Sequence, residues 1–167
     1  MAIEVIKQAR NNEHRDTPVL ILDGMPRTVS QAQMLEEDNM KIDLIFNFVN
    51  RDDILLEKLM GRRVCPECNR NYNICAIDRD GYFMKALLPE KDPKKCDDCE
   101  VVHLVVRDDD KENIIKERME IYREKTEPIL DFYKKNTSAV VIDFEAKRGV
   151  DDFPQMKQLL EAGMAKI

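Results

Sequence analysis

Four cysteines have the spacing of metal ligands. They form two C-x-x-C pairs, Cys65 with Cys68 and Cys96 with Cys99, separated by 27 residues. Each pair can turn two thiolates inward, and two pairs complete the tetrahedral sulfur cage that Zn²⁺ prefers. Because four thiolates leave no position for water, we expect a structural zinc. The alternatives are disulfides or idle thiols, and a site in which His103 replaces one thiol.

Arginines flank this cysteine-rich stretch. Arg62 lies just before it, Arg107 just after it, and Arg118 eleven positions further on. A planar guanidinium binds phosphate through paired hydrogen bonds, and phosphoryl transfer depends mostly on alignment and electrostatic stabilisation. These side chains are therefore candidates to neutralise a transferring phosphoryl group. Their spacing supports equally well a solvated surface on which they pair with the acidic run 108–110.

A second polar cluster follows the aliphatic run at residues 18–22. Asp23, Gly24 and Arg27 come directly after it. In open parallel sheets, ligands bind outside the carboxyl ends of strands, and a carboxylate there can orient the waters of a bound Mg²⁺. Gly24 lets the backbone pass close to a ligand, and Arg27 offers a planar fork to phosphate. The alternative is that Asp23 only caps a helix.

Strands and helices that alternate along the chain must position these residues. Continuous aliphatic runs predict parallel strands at 18–22, 44–49 and 139–142. Apolar residues at helical spacing predict helices near 3–9, 54–60, 115–133 and 151–163. This order predicts a layered α/β fold. Pro128 should kink the third of these helices or begin a fresh turn after Thr126.

Residues 65–106 interrupt this rhythm with cysteines, prolines and a "DRDG" turn, so we expect an inserted lobe there. The chain of 167 residues fits one ordinary domain with a small insertion. Its net charge of −6 argues against non-specific nucleic-acid binding. With no long apolar run, the sequence predicts a cytoplasmic protein, with a mitochondrion or another organelle as the alternative.

Three separated stretches resemble the adenylate kinase family, which interconverts ATP and AMP with two ADP. They are "LDGMPRTVSQAQ", "GRRVCPEC" and "RDDDKENIIKERMEIYREKTEPILDFY". The resemblance implies a three-layer, parallel-sheet core of the P-loop type with an inserted zinc-binding lid. It divides the chain into a partial core at 1–61, a lid at 62–106 and the rest of the core at 107–167. It implies a monomer that binds ATP, AMP and ADP, and neither nucleic acid nor membrane.

The resemblance also implies residue roles on the AMP side. Arg27 would grip the AMP phosphate and Gln31 would hydrogen-bond the adenine, with Gly24 nearby. Asp23 would hold through water the Mg²⁺ that accompanies ATP.

On the donor side, the resemblance places Lys58 and Arg62 at ATP. The family often has arginine where Lys58 stands, and lysine stacks less well on a base. Arg62, Arg107 and Arg118 would surround the transferring phosphates, and the acidic pair at 109–110 would help latch the lid.

No stretch matches G-x-x-x-x-G-K-[ST], the loop that cradles donor phosphates. In the family this loop precedes the residues matched here, so we expect an N-terminally truncated core with two of five strands absent, marginal stability and impaired turnover. Two alternatives are a non-catalytic zinc-ribbon binding module and a remnant that still binds nucleotide.

Overall fold

The computed structural model describes residues 2–8, 19–99 and 103–167. The helices in these ranges are α1 (Ala2–Gln8), α2 (Val29–Glu37), α3 (Asp52–Met60), α4 (Glu112–Ile121), α5 (Pro128–Asn136) and α6 (Phe153–Met164). A π turn at Tyr122–Thr126 joins α4 to α5, and a 3₁₀ turn at Gly149–Asp152 precedes α6. The strands are β1 (Leu44–Val49), β2 (Arg62–Val64), β3 (Asn71–Asn73), β4 (Ile77–Arg79), β5 (Tyr82–Met84) and β6 (Val140–Glu145).

The expected α/β class is confirmed, with β1 and β6 as neighbours in a parallel sheet. The strands predicted at 44–49 and 139–142 correspond to these two. The strand predicted at 18–22 is wrong over residues 19–22, which have no regular structure, and Ile21 is 83% exposed. Pro18 lies outside the described residues. A strand needs a hydrogen-bonded neighbour, and no described strand pairs with residues 19–22.

The helix predictions are confirmed within one turn at their ends. The stripe at 3–9 is α1, although Ala9 lies outside the described residues. Pro128 begins a new helix, as expected, because its missing N–H and fixed φ suit a first turn. None of the described helices has the length and apolar composition needed to cross a membrane.

Contacts divide the chain into two units, Met1–Ile45 with Ile121–Val141 and Phe46–Glu120 with Ile142–Ile167. In the first unit α2 packs on α5. Ala32 and Tyr133 are fully buried there, with Ile129 beside them. The hydroxyl of Thr28 caps α2 by accepting a hydrogen bond of 3.3 Å from the Gln31 N–H. The start of α2 is therefore fixed both by its cap and by its buried face.

In the second unit, the hairpin β4–β5 packs its apolar face on Ile54 of α3. Arg79 pairs with Glu57 of the same helix, and the Tyr82 hydroxyl donates to the Glu145 carboxylate. The Phe83 N–H donates to the Lys147 carbonyl at 2.8 Å. Part of the cysteine-rich insertion is thus attached to α3 and to the segment after β6. The division at residues 62 and 106 stays a prediction.

The remainder of the insertion is held at its base. β2 pairs antiparallel with β3, and the backbones of Val64 and Val105 exchange hydrogen bonds of 2.8 and 2.9 Å. The two ends of the insertion therefore meet at one antiparallel bridge.

One buried polar group lacks a partner among the described residues, the hydroxyl of Tyr133. Burial, with a smaller effect of Glu36, raises the pKa of Tyr133 to about 12. We predict that Tyr133→Phe leaves the free energy of unfolding unchanged or raises it by about 1 kcal/mol, because an unsatisfied buried hydroxyl disfavours folding. Urea unfolding followed by circular dichroism measures this change. Tyr82→Phe is the matched control. It should lower the free energy of unfolding by about 1 kcal/mol, because the Tyr82 hydroxyl is hydrogen-bonded. A larger loss of stability in Tyr133→Phe than in Tyr82→Phe would contradict the interpretation that the Tyr133 hydroxyl is unsatisfied.

Candidate functional site

The four predicted cysteine ligands come together. One sulfur from each of Cys65, Cys68, Cys96 and Cys99 lies within 4.8 Å of the others. The turn that contains the first C-x-x-C pair is closed by two backbone hydrogen bonds. One runs from the Cys65 N–H to the Arg70 carbonyl, and the other from the Asn69 N–H to the Cys65 carbonyl. His103 is not part of this cluster within the described residues. The sulfur geometry fits a tetrahedral, thiolate-binding metal such as zinc.

Tyr72 supports the cluster from outside. Its hydroxyl lies 3.5 Å from Cys96 Sγ and 3.1 Å from Asp97 Oδ2, and it accepts a hydrogen bond of 2.9 Å from the Asp97 N–H. The Tyr72 hydrogen bond lowers the pKa of the Cys96 thiol to about 6. The contact with Cys68, together with burial, raises the pKa of Cys99 to about 12. Ionisation of all four thiols at this spacing would therefore require a compensating cation.

A variant pair tests the metal cluster. Cys65→Ser removes a buried ligand and should abolish stoichiometric metal binding, because a closed four-sulfur site tolerates no vacancy without large loss of affinity. Cys75→Ser alters the thiol outside the cluster and should retain one metal per chain. Metal content after zinc loading and gel filtration, read by mass spectrometry, checks both. Equal metal content in the two variants would contradict the ligand assignment.

Two adjacent carboxylates, Asp109 and Asp110, hold the three arginines that are predicted to surround the transferring phosphates. Arg62 of β2 donates to both carboxylate oxygens of Asp110, with Nε at 2.7 Å. The Asp110 side chain is fully buried and that of Arg62 is 20% exposed. The hydrogen bonds that Arg62 donates to Asp110 raise the pKa of Arg62, and this effect exceeds the opposing effect of burial. This pair joins β2 to the segment before α4, and the role of Arg62 at ATP and at the transferring phosphates stays a prediction.

Asp109 binds the other two arginines. Arg107 donates to it through two nitrogens, each at 2.9 Å, and Arg118 Nη1 lies 2.9 Å from the same carboxylate. Although burial acts to raise it, the Arg107 hydrogen bond and the charges of Arg107 and Arg118 lower the pKa of Asp109. Both arginines are 46% exposed, so they can reach an anion from solvent.

Asp109 and Asp110 of the acidic run thus pair with these arginines, as one of the two sequence interpretations expected. That interpretation described a solvated surface, and it is wrong about Asp110, which is buried. Spacing alone could not identify which of the carboxylates is inside.

The buried pair gives a direct stability prediction. Asp110→Asn leaves the Arg62 charge without its counterion and should cost about 3 kcal/mol, because one half of a buried ion pair then stays uncompensated. Chemical denaturation of the metal-loaded protein measures the loss. The matched control, Asp108→Asn, changes an exposed neighbour and should stay within about 0.5 kcal/mol of the parent. Equal effects of the two substitutions would show that burial does not matter here.

In the first unit, the segment 23–31 closes on itself. Arg27 Nε donates to the Gly24 carbonyl at 2.7 Å, and the Arg27 N–H donates to Gln31 Oε1 at 2.7 Å. Gly24 has φ +73°, and a Cβ there would lie 2.9 Å from Arg27 Nη2. Glycine is therefore favoured at this position by its positive φ, and a side chain there would displace the Arg27 guanidinium. Three of the four residues predicted for AMP and magnesium are thus joined, since Arg27 contacts both Gly24 and Gln31.

The fourth, Asp23, is exposed and does not follow a strand in the described residues. Its expected location at a strand end is therefore wrong, and its role at Mg²⁺ stays a prediction. Thr126, which the sequence did not single out, donates its hydroxyl to the Arg27 carbonyl at 3.1 Å. The sequence signal near Thr126 is Pro128, two residues later, which predicts a break in the helix at this point.

Lys58 lies on α3 at the base of the insertion. Its ammonium donates to the Cys75 carbonyl at 2.9 Å, and its own carbonyl accepts from Asn73 Nδ2 at 2.7 Å. Burial lowers the pKa of Lys58. Lys58 thus joins α3 to the loop that leads into β4, and its predicted contact with a donor base stays a prediction.

A mixed α/β fold with a cysteine cluster that could form a lid is consistent with a nucleotide kinase core. The sequence model described as "Adenylate kinase" matches residues 1–138. The chain belongs to the adenylate kinase family. This membership favours the kinase interpretation over the free-standing zinc-binding module.

Three relatives illustrate the similarity. One described as a probable adenylate kinase 6, chloroplastic, from Arabidopsis thaliana is 41% identical over 138 residues, 79% of this chain and 43% of the relative. An adenylate kinase from Thermotoga neapolitana is 40% identical over 136 residues, 79% and 56% of the two chains. A GTP:AMP phosphotransferase from Plasmodium falciparum is 38% identical over 140 residues, 84% and 59%. The chain spans about half the length of these relatives.

Proposed function

We propose that this chain carries the acceptor-binding and phosphate-neutralising parts of an adenylate kinase, which transfers a phosphoryl group reversibly from Mg-ATP to AMP and gives two ADP. The observation that carries this proposal is the binding of Arg107 and Arg118 to the single, partly exposed carboxylate of Asp109. Their partner is a carboxylate that a phosphate can replace, because both anions accept paired N–H donors.

In the proposed reaction, a phosphate oxygen of AMP attacks the γ-phosphorus of ATP. A new P–O bond forms there, the bond from the γ-phosphorus to the β–γ bridging oxygen breaks, and ADP leaves with that oxygen. The negative charge shifts but does not disappear, so fixed cations can do most of the catalytic work. Arg107 and Arg118 exchange Asp109 for the transferring phosphates in this scheme. Arg62 binds buried Asp110 at the base of the lid. Its contacts with ATP and with the transferring phosphates are also part of the proposal and would use the donors of its guanidinium that remain.

AMP is proposed to bind at the segment 23–31. The Arg27 guanidinium uses one of its five N–H donors on the Gly24 carbonyl, and the phosphate of AMP would take others. Gln31 accepts from the Arg27 N–H through its side-chain oxygen and keeps its amide N–H groups for the adenine.

Two metals belong to the proposal. Zinc, held by Cys65, Cys68, Cys96 and Cys99, would stabilise the insertion, as the four-sulfur donor set fits. Mg²⁺ would enter with ATP and supply charge neutralisation, with Asp23 holding its waters. We also propose that the donor base is adenine. Guanine is the alternative, because one relative is a GTP:AMP phosphotransferase.

The proposal includes impaired turnover by this chain alone. The sequence has no G-x-x-x-x-G-K-[ST] loop, and the backbone amides of such a loop cradle the donor phosphates. We further propose a monomer located in the cytoplasm. An organelle is the alternative, since a relative is described as chloroplastic.

A coupled assay for ADP tests the function. The chain extended at its N-terminus with a phosphate-binding loop should turn over ATP and AMP, and the unextended chain should be slower by at least about a hundredfold, the loss that follows removal of one set of charge-stabilising donors. Absence of activity in a folded, metal-loaded extended protein would reject the assignment.

The same assay tests whether Arg118 stabilises the transition state or only forms an ion pair on the surface. Arg118→Lys in the extended protein should lower kcat about tenfold or more, because lysine cannot supply the paired donors. Lys116→Arg is the matched control, a reverse exchange two positions away on α4 at a side chain that is 59% exposed, and it should leave kcat unchanged.

A further inference from the structure

The π turn between α4 and α5 directs one side chain toward the proposed AMP segment. The turn is closed by a hydrogen bond of 2.9 Å from the Glu127 N–H to the Tyr122 carbonyl, five residues earlier. A π turn contains one residue more than an α turn, and such turns are frequent at functional sites. Pro128 has no N–H to continue an α-helical ladder, so the chain starts α5 from this wider turn.

The Thr126 hydroxyl donates its hydrogen bond to an unusual acceptor. In or at the end of a helix, a threonine hydroxyl ordinarily donates to a carbonyl of the preceding turn. Thr137 at the end of α5 does this, with a hydrogen bond of 3.0 Å to the Tyr133 carbonyl. Thr126 instead donates to the carbonyl of Arg27, 99 positions away in the sequence, at 3.1 Å.

This bond completes the restraint of the Arg27 backbone. The N–H of Arg27 is held by Gln31 and its carbonyl by Thr126. Gln31 lies in the first turn of α2, and Thr126 lies just ahead of α5. Because α2 and α5 share a buried contact through Ala32 and Tyr133, the two hydrogen-bonding partners of Arg27 are fixed relative to each other.

We propose that Thr126 is a positioning residue for AMP: its hydroxyl fixes the Arg27 carbonyl, and thereby the point from which the Arg27 guanidinium reaches the phosphate. The inference rests on the proposed function, since it names AMP as the ligand of Arg27. Thr126 itself does not contact the nucleotide in this scheme. It reduces the conformational freedom that Arg27 would lose on binding.

The test combines AMP affinity with a nucleotide-free measurement on the same chain. Thr126→Val keeps the shape and removes the donor, and isothermal titration should show AMP binding about 3- to 10-fold weaker, the usual effect of one neutral hydrogen bond. Thr126→Ser keeps the hydroxyl and should restore affinity to within about twofold. Thr137→Val, the matched control, removes a hydroxyl bond of the same unit away from Arg27 and should leave AMP affinity unchanged.

Limited trypsin digestion supplies the second measurement, because the Arg27 carbonyl belongs to the bond cleaved after that residue. Relative to cleavage after exposed Arg148, cleavage after Arg27 should accelerate several-fold in Thr126→Val and not in Thr126→Ser or Thr137→Val. An unchanged cleavage ratio, or unchanged AMP affinity in a folded Thr126→Val protein, overturns the inference. If the parent chain does not bind AMP at all, the proposed function fails, and the digestion still reports whether the Thr126 contact exists.

Discussion

Two neighbouring carboxylates, Asp109 and Asp110, organise the cationic part of this protein. Asp110 is buried and binds Arg62, whereas Asp109 is partly exposed and binds Arg107 and Arg118. The energetic consequence differs between them. A buried pair is expensive to break because the remaining charge is not solvated, while exposed pairs contribute little and exchange readily with other anions. One carboxylate therefore stabilises the fold, and the other holds two arginines that stay partly exposed to solvent.

The insertion between Arg62 and Arg107 has two separate sources of stability. One is the cysteine cluster, with Tyr72 and Leu104 packed beside it. These contacts are few, and the proposed zinc would supply the stability that a small apolar cluster lacks. The other is the hairpin β4–β5, whose apolar face packs on Ile54 and whose polar groups reach Glu57 and Glu145. Loss of the proposed zinc should therefore loosen the cysteine part before the hairpin.

The proposed AMP segment is held mainly by hydrogen bonds within itself. Its residues bond mainly to each other, through Arg27, Gly24 and Gln31, and the positive φ of Gly24 permits this compact arrangement. Met25 of this segment also packs against the cluster of Leu35 and Met40. The position of the segment depends on the helices to which it is attached, and the hydroxyl of Thr126 links it to the second of them.

The sequence by itself determined the elements whose signals are local: the helices with apolar residues at helical spacing, the strands β1 and β6, the new helix at Pro128, and the four cysteines as one group. The family also followed from local motifs. Tertiary structure decided which carboxylate each arginine binds, that Asp110 is inside, and that Thr126 reaches Arg27. It also decided that residues 19–22 form no strand among the described residues, despite an ideal composition. The physical reason is common to these cases: a strand, a buried ion pair and a long-range hydrogen bond each need a partner far away in the chain, and spacing along the sequence carries no information about where that partner lies.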